Sequence, residues 1–130
     1  MAISKTARSL VASVTKTAAS NGTPTRSTPL GLQTCYGGLL TVKITNGGTG
    51  PTTACECRVL VAHNATTPSA GSAGSDWKTA YKGTGGTVAS TVMEYVWIID
   101  AAAMALEVEF DGNTGQDVTI EAHFSEITGV

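Results

Sequence analysis

The chain has 130 residues, the size of one domain, and 42% of them are hydrophobic, enough to build a core. Only 14% are charged, against roughly 25% in an average soluble protein; Thr, Ser, Gly and Ala fill the gap, which points to a surface covered by other protein or of Thr/Ser-rich virion or secreted type, and away from an ordinary cytosolic enzyme. The charges are sorted by position: Met1 to Cys55 holds five basic residues and no acid, and Gly83 to Val130 holds eight acids and no Lys or Arg, so that the front of one copy is attracted to the back of another.

Residues 1–34 differ in texture from the rest. Thr23-Pro24-Thr25, Thr28-Pro29 and Asn21-Gly22 favour extended chain and turns. Thr6 to Lys16 fits a short helix with Ala7, Leu10, Val11 and Val14 on one side, or a strand; its β-branched content and missing caps favour extended structure. This segment reads as an N-terminal arm. Leu10 to Val14 is too short and too polar for the apolar region of a secretory signal. No apolar run approaches the roughly 18 residues of a membrane span.

From residue 35 onward the pattern is β. Leu40, Val42 and Ile44 alternate with Thr41, Lys43 and Thr45, up to the turn Asn46-Gly47-Gly48-Thr49-Gly50-Pro51. Cys55, Cys57, Val59 and Val61 alternate next. With Cys35 the thiols number three, a poor disulfide framework, and Cys-x-Cys is not a zinc spacing, so buried thiols are expected. Asn64 to Ser75 is a polar loop, Asp76 to Lys82 a short strand or bend, and Gly83 to Gly86 a turn. Val92 to Ile99 is apolar on both faces, as in a central strand or one with a face covered by a partner. Leu106, Val108 and Phe110, then Val118, Ile120, Ala122 and Phe124, alternate with polar residues around Asp111-Gly112-Asn113-Thr114-Gly115, and read as an antiparallel hairpin with an acidic face. The sum is an all-β sandwich or jelly roll over residues 35–130, preceded by an extended arm over 1–34.

Chemistry is sparse. His63 and His123 have no paired histidine, and solvated side chains are expected. The carboxylates Glu107, Glu109 and Asp111 on one strand face, with Asp117 and Glu121, form an acidic surface for a basic partner rather than an acid–base pair, which needs a cleft. No nucleophile motif and no phosphate loop is present, so no catalytic residue, metal or cofactor is expected. Four basic residues over the first 26 positions are too dilute for a nucleic-acid footprint. Trp77 either anchors a loop or, with Tyr81, stacks on a sugar ring.

Ser75-Asp76-Trp77, a Gly-rich turn, Val96-Trp97-Ile98-Ile99-Asp100, Leu106-Glu107-Val108-Glu109 and Gly112-Asn113-Thr114-Gly115-Gln116-Asp117-Val118-Thr119-Ile120-Glu121-Ala122 form a recognisable cadence. It resembles that of the small jelly-roll capsid decoration, or cement, proteins of tailed phages, and loosely that of galactose-binding-like sandwich modules. The resemblance implies a non-enzymatic virion protein on the capsid surface, made in the cytoplasm of a bacterial host. It implies a dimer or trimer that clamps the major capsid protein, without nucleic acid, membrane or cofactor. On that reading Lys5, Arg8, Lys16 and Arg26 of the arm meet acidic protein, and Glu107, Glu109, Asp117 and Glu121 face a partner. A tail or fibre module and a carbohydrate-binding module using Trp77 and Tyr81 are the alternatives.

Overall fold

The computed structural model describes residues 2–71 and 76–129. The described residues form nine strands: β1 (Ser4–Lys16), β2 (Thr25–Arg26), β3 (Leu30–Gly31), β4 (Gly38–Asn46), β5 (Glu56–Ala62), β6 (Lys78–Thr84), β7 (Val92–Ile99), β8 (Ala105–Asp111) and β9 (Val118–Gly129). They build an antiparallel sandwich. One sheet runs β1-β9-β4-β7, and the other runs β2-β8-β5-β6 with β3 also on β8. The alternating residues point inward as the pattern predicts: Leu40, Val42 and Ile44, and Val118, Ile120, Ala122 and Phe124, pack against Cys55, Cys57 and Val59, and Leu106, Val108 and Phe110. All of these are buried. Burial pushes the Cys55 thiol up to about 12 and that of Cys57 higher still.

Two features depart from expectation. The predicted hairpin of β8 and β9 does not form, because the two strands lie in different sheets. Residues 112–117 carry the chain from one sheet to the other, and the buried Asn113 side chain fixes the crossing by donating to the carbonyls of Lys16 (3.0 Å) and Gln116 (3.1 Å). The first 34 residues are not a free arm. β1 pairs with β9 from Ser4–Gly129 to Lys16–Val118, with three register irregularities, and β2 and β3 lie on β8. The segment therefore closes an edge of each sheet, where β9 and β8 would otherwise leave rows of backbone groups unpaired.

The switch between sheets turns on Lys16, whose side chain has no exposure. Its Nζ donates to the Ser20 carbonyl (3.0 Å), Ser20 Oγ (2.8 Å) and the Thr23 carbonyl (2.7 Å), and lies 3.4 Å from Asp111 Oδ1. Three donors thus find acceptors, and one carboxylate balances the charge, which is what a buried ammonium requires. Replacing Lys16 by Met should cost about 3 kcal/mol, since it strands the Asp111 carboxylate and the two carbonyls. Urea unfolding of the two proteins measures the difference.

Candidate functional site

The residues singled out by the sequence are mostly charged, and the sandwich brings opposite signs together inside one chain. Arg8 grips Glu126 through Nη2 (2.6 Å) and Nε (2.7 Å), with the Glu126 side chain almost wholly buried. Arg26 Nε lies 3.0 Å from Glu109 Oε2 and 3.3 Å from Glu107 Oε1. Lys16 sits by Asp111, and Lys43 Nζ is 3.6 Å from Glu121 Oε1. Asp117 Oδ1 accepts from the Ala18 backbone N–H (2.8 Å), and both Asp111 oxygens accept from that of Gly22 (3.1 and 3.2 Å). The basic front is therefore matched to the acidic back within the molecule. Of the five basic residues in the front, Lys5 is exposed and forms no ion pair among the described residues.

The four carboxylates expected to form one partner-facing surface do not share a surface. Glu107 and Glu109 lie on the outer side of the β8 sheet, and Glu121 lies on the outer side of the β9 sheet, across the sandwich. Asp117 sits in the crossing before β9. Glu107 is fully buried. The chain leaving β5 folds back over this face, and the Gly71 N–H donates to both Glu107 oxygens at 3.2 Å. Gly71 has φ +60°, and a Cβ there would stand 2.7 Å from the Arg26 guanidinium, so glycine lets the loop close on the Arg26–Glu107 pair. Of the predicted loop Asn64–Ser75, residues 72–75 lie outside the described residues.

Trp77 pins the same loop. It is 6% exposed, packs with Leu60, Ala62 and Ala105, and donates Nε1–H to the Ser69 carbonyl at 3.0 Å. Its ring is turned into the protein, so it is the loop anchor and not a sugar platform. Tyr81 is also committed. It stacks on Trp97, which stacks on Tyr95, with centroids 5.3 and 5.0 Å apart. The Tyr81 hydroxyl donates to the Ile98 carbonyl (2.8 Å), and the Tyr95 hydroxyl donates to the Thr84 carbonyl (2.8 Å). The Tyr95 ring lies over Gly83, where a Cβ would come within 2.7 Å of it. These three rings join the β6 edge of one sheet to the β7 edge of the other. Sequence reading missed this stack, because Tyr81 and the Tyr95–Trp97 pair are distant in the chain.

The front half of β1 lies open to solvent. Ser4 to Ser9, the first six residues of β1, are all exposed, as are Ala2 and Ile3. In that strand only Leu10, Val11 and Lys16 approach the interior. The front half of β1 is held by its ladder to β9 and by the Arg8–Glu126 clamp, with almost no core of its own.

No protein-family model matches this sequence, and no curated protein matches it. Solved structures of similar fold include the K3 cleaved adhesin domain of Lys-gingipain from Porphyromonas gingivalis w83. It has a TM-score of 0.56 and 12% identity, covering 87% of this chain and 73% of that one. A structure of infectious bursal disease virus Gx strain gives 0.56 at 8% identity, over 98% of this chain and 33% of that one. The SPBc2 prophage-derived protein YomS gives 0.45 at 16% identity over 96% of each. At such identities the first two likenesses are of fold alone, a β-sandwich.

Two outcomes are expected. Trp77→Ala should lower stability by about 3 kcal/mol through loss of the anchor, read by thermal or urea unfolding. Burial raises the Glu107 carboxyl above its ordinary range, against the pull of the Gly71 N–H and Arg26, while Glu109 adds to the rise. The folded chain then holds this proton more tightly than the unfolded chain, so ionised Glu107 costs stability at neutral pH and the cost fades as pH falls through the raised pKa. The stability of the wild type minus that of Glu107→Gln should therefore increase from neutral pH down to the ordinary carboxylate range; a flat difference would contradict it.

Proposed function

We propose that this chain is a non-enzymatic structural protein of a phage virion, of the decoration or cement kind, which binds the capsid shell and stabilises it. Its partner is the major capsid protein. The observation that carries this reading is the front half of β1, where Ser4 to Ser9 are exposed on a ladder that buries almost no core, with Ala2 and Ile3 exposed before it. Ordering a strand costs about 1–2 kcal/mol per residue in backbone entropy, and this edge strand sets against that cost only its ladder to β9 and the Arg8–Glu126 clamp, with almost no apolar burial. A surface that docks on this edge would bury the neighbouring Ile3 side chain, 61% exposed, and offer carboxylates to Lys5.

Three further observations agree. The low charge suits a surface that protein covers in the particle. The cadence of residues 75–128 resembles cement proteins, and the sandwich shares its fold with domains from an adhesin and from a virus structure. The contact differs from the arm first inferred from the sequence, since Lys16 and Arg26 are spent inside the protein and only the first residues of β1 are left to bind. Sugar binding through Trp77 is not part of this reading, because that ring is buried.

Deletion of residues 2–7 tests it. Arg8 stays on Glu126, and Leu10, Val11 and Lys16 stay in place, so the shortened chain should fold with a circular dichroism spectrum close to that of the full chain. It should fail to cosediment with capsids stripped of the protein, whereas the full chain should bind them. Binding at full affinity by the shortened chain would refute the reading.

A further inference from the structure

The four sheet edges are not treated alike. β1 carries three register irregularities with Lys5 and Arg8 along it. β2 and β3 are two residues each, with Pro24 before β2 and Pro29 before β3. β6 carries Lys78 and Lys82. Bulges, short strands, prolines and lysines are the devices that prevent edge-to-edge pairing. β7 has none of them. It is eight residues long, regular against β4, and pairs with no other strand among the described residues. Apolar on both faces, it was expected either at the centre of a sheet or with one face covered by a partner; it is an edge, and its outer face is exposed. Val92, Val96 and Ile98 are 48%, 64% and 66% exposed, and Leu39 beside Ile98 on β4 is 39% exposed. Together they leave on the order of 400 Å² of these residues in water, the size of the largest apolar patch on a typical monomer, which is often functional. The outer face of the other sheet, by contrast, is covered in part by the Trp77 loop.

The backbone of β7 is turned the right way to take another strand. The Asn46 N–H donates to the Thr91 carbonyl, so by antiparallel alternation Met93, Tyr95 and Trp97 bond to β4, while Val92, Glu94, Val96 and Ile98 direct their amides outward. The Tyr81 hydroxyl on the Ile98 carbonyl marks that outward direction and occupies one lone pair at one end. The amides of Val92, Glu94 and Val96 lie beyond its reach along the strand.

We infer that β7 is the interface with a second copy of this chain, paired antiparallel about a two-fold axis at Tyr95, so that the two four-stranded sheets become one of eight. Self-pairing restricts the register. An axis at Glu94 would set the two glutamates opposite each other, which is unfavourable. An axis at Val96 would set Ile98 against Glu94 and Val92 against Asp100. An axis at Tyr95 sets Val92 against Ile98 and Glu94 against Val96, separates the two glutamates, and merges the two apolar stripes. Lys43, opposite Glu94 on β4 of the same copy, offsets the carboxylate. The net charge of −2 per chain opposes association only weakly.

Sedimentation velocity of the purified full chain, without any shell, tests this independently of the proposed function; failure of one leaves the other standing. The wild type should reach a dimer between micromolar and millimolar concentration. Val96 is exposed and lies opposite Thr41, so variants there should fold, as circular dichroism can verify. Val96→Glu should place a carboxylate opposite Glu94 of the second copy, and Val96→Lys should place an ammonium there. The Glu variant should therefore dissociate at least about tenfold more readily than the Lys variant, which should remain dimeric. A wild type that stays monomeric, as when another protein covers this face in the particle, would overturn the inference. So would a dimer indifferent to Val96→Glu, or equal loss in both variants.

Discussion

The architecture depends on satisfying one buried ammonium. The chain enters one sheet as β1 and must cross to the other before β2, and Lys16 stands at that crossing with its charge out of water. An unpaired cation there would be untenable. Ser20 and Thr23 therefore wrap around it, Asp111 arrives from β8, and Asn113 holds the Lys16 carbonyl. These contacts connect the end of β1, the first crossing and the second crossing. The two sheets are thus joined by polar chemistry at this end and by the inward alternation of aliphatic side chains along their length. On one side, the stack of Tyr81, Trp97 and Tyr95 completes the closure.

The same geometry gives the sorted charges their meaning. A basic front and an acidic back look like a device for joining copies. Within the sandwich they pair inside one molecule, on both sheets, because β1 lies on β9 and β2 on β8. A Coulomb attraction across short distances in partly buried sites is far stronger than between exposed groups on separate molecules. Internal pairing therefore takes up Arg8, Lys16 and Arg26 first. It leaves Lys5 without an ion pair among the described residues and the outer face of β7 open to solvent.

Much of the sandwich was legible because its signal is local. The alternations at 40–44, 55–59, 106–110 and 118–124 each mark one buried face, and the structure buries them. Strand partners are another matter. Period-two alternation around Asp111 to Gly115 fits a hairpin and fits two strands in different sheets equally well, and the crossing is decided by Asn113, which reads in sequence as an ordinary turn residue. β7, apolar on both faces, fitted a central strand or one with a face covered by a partner, and nothing nearby in the chain decides between them. The burial of Lys16 and Glu107 has no sequence signature either. Both lie in alternating segments where a charge reads as solvent-facing, and both are buried by residues that the chain supplies later or elsewhere.

The position of β9 in its sheet has a consequence for how the molecule is made. β9 lies between β1 and β4, yet it leaves the ribosome after the other eight strands. During translation, β1 has no neighbour to pair with, and β4 can pair only with β7. At about 5–20 residues per second, the nascent chain spends seconds with the apolar faces of β4 and β7 uncovered on one side. The sandwich can then close only when β9, between β1 and β4, arrives, so folding is gated by the emergence of β9 rather than by the growth of a stable front.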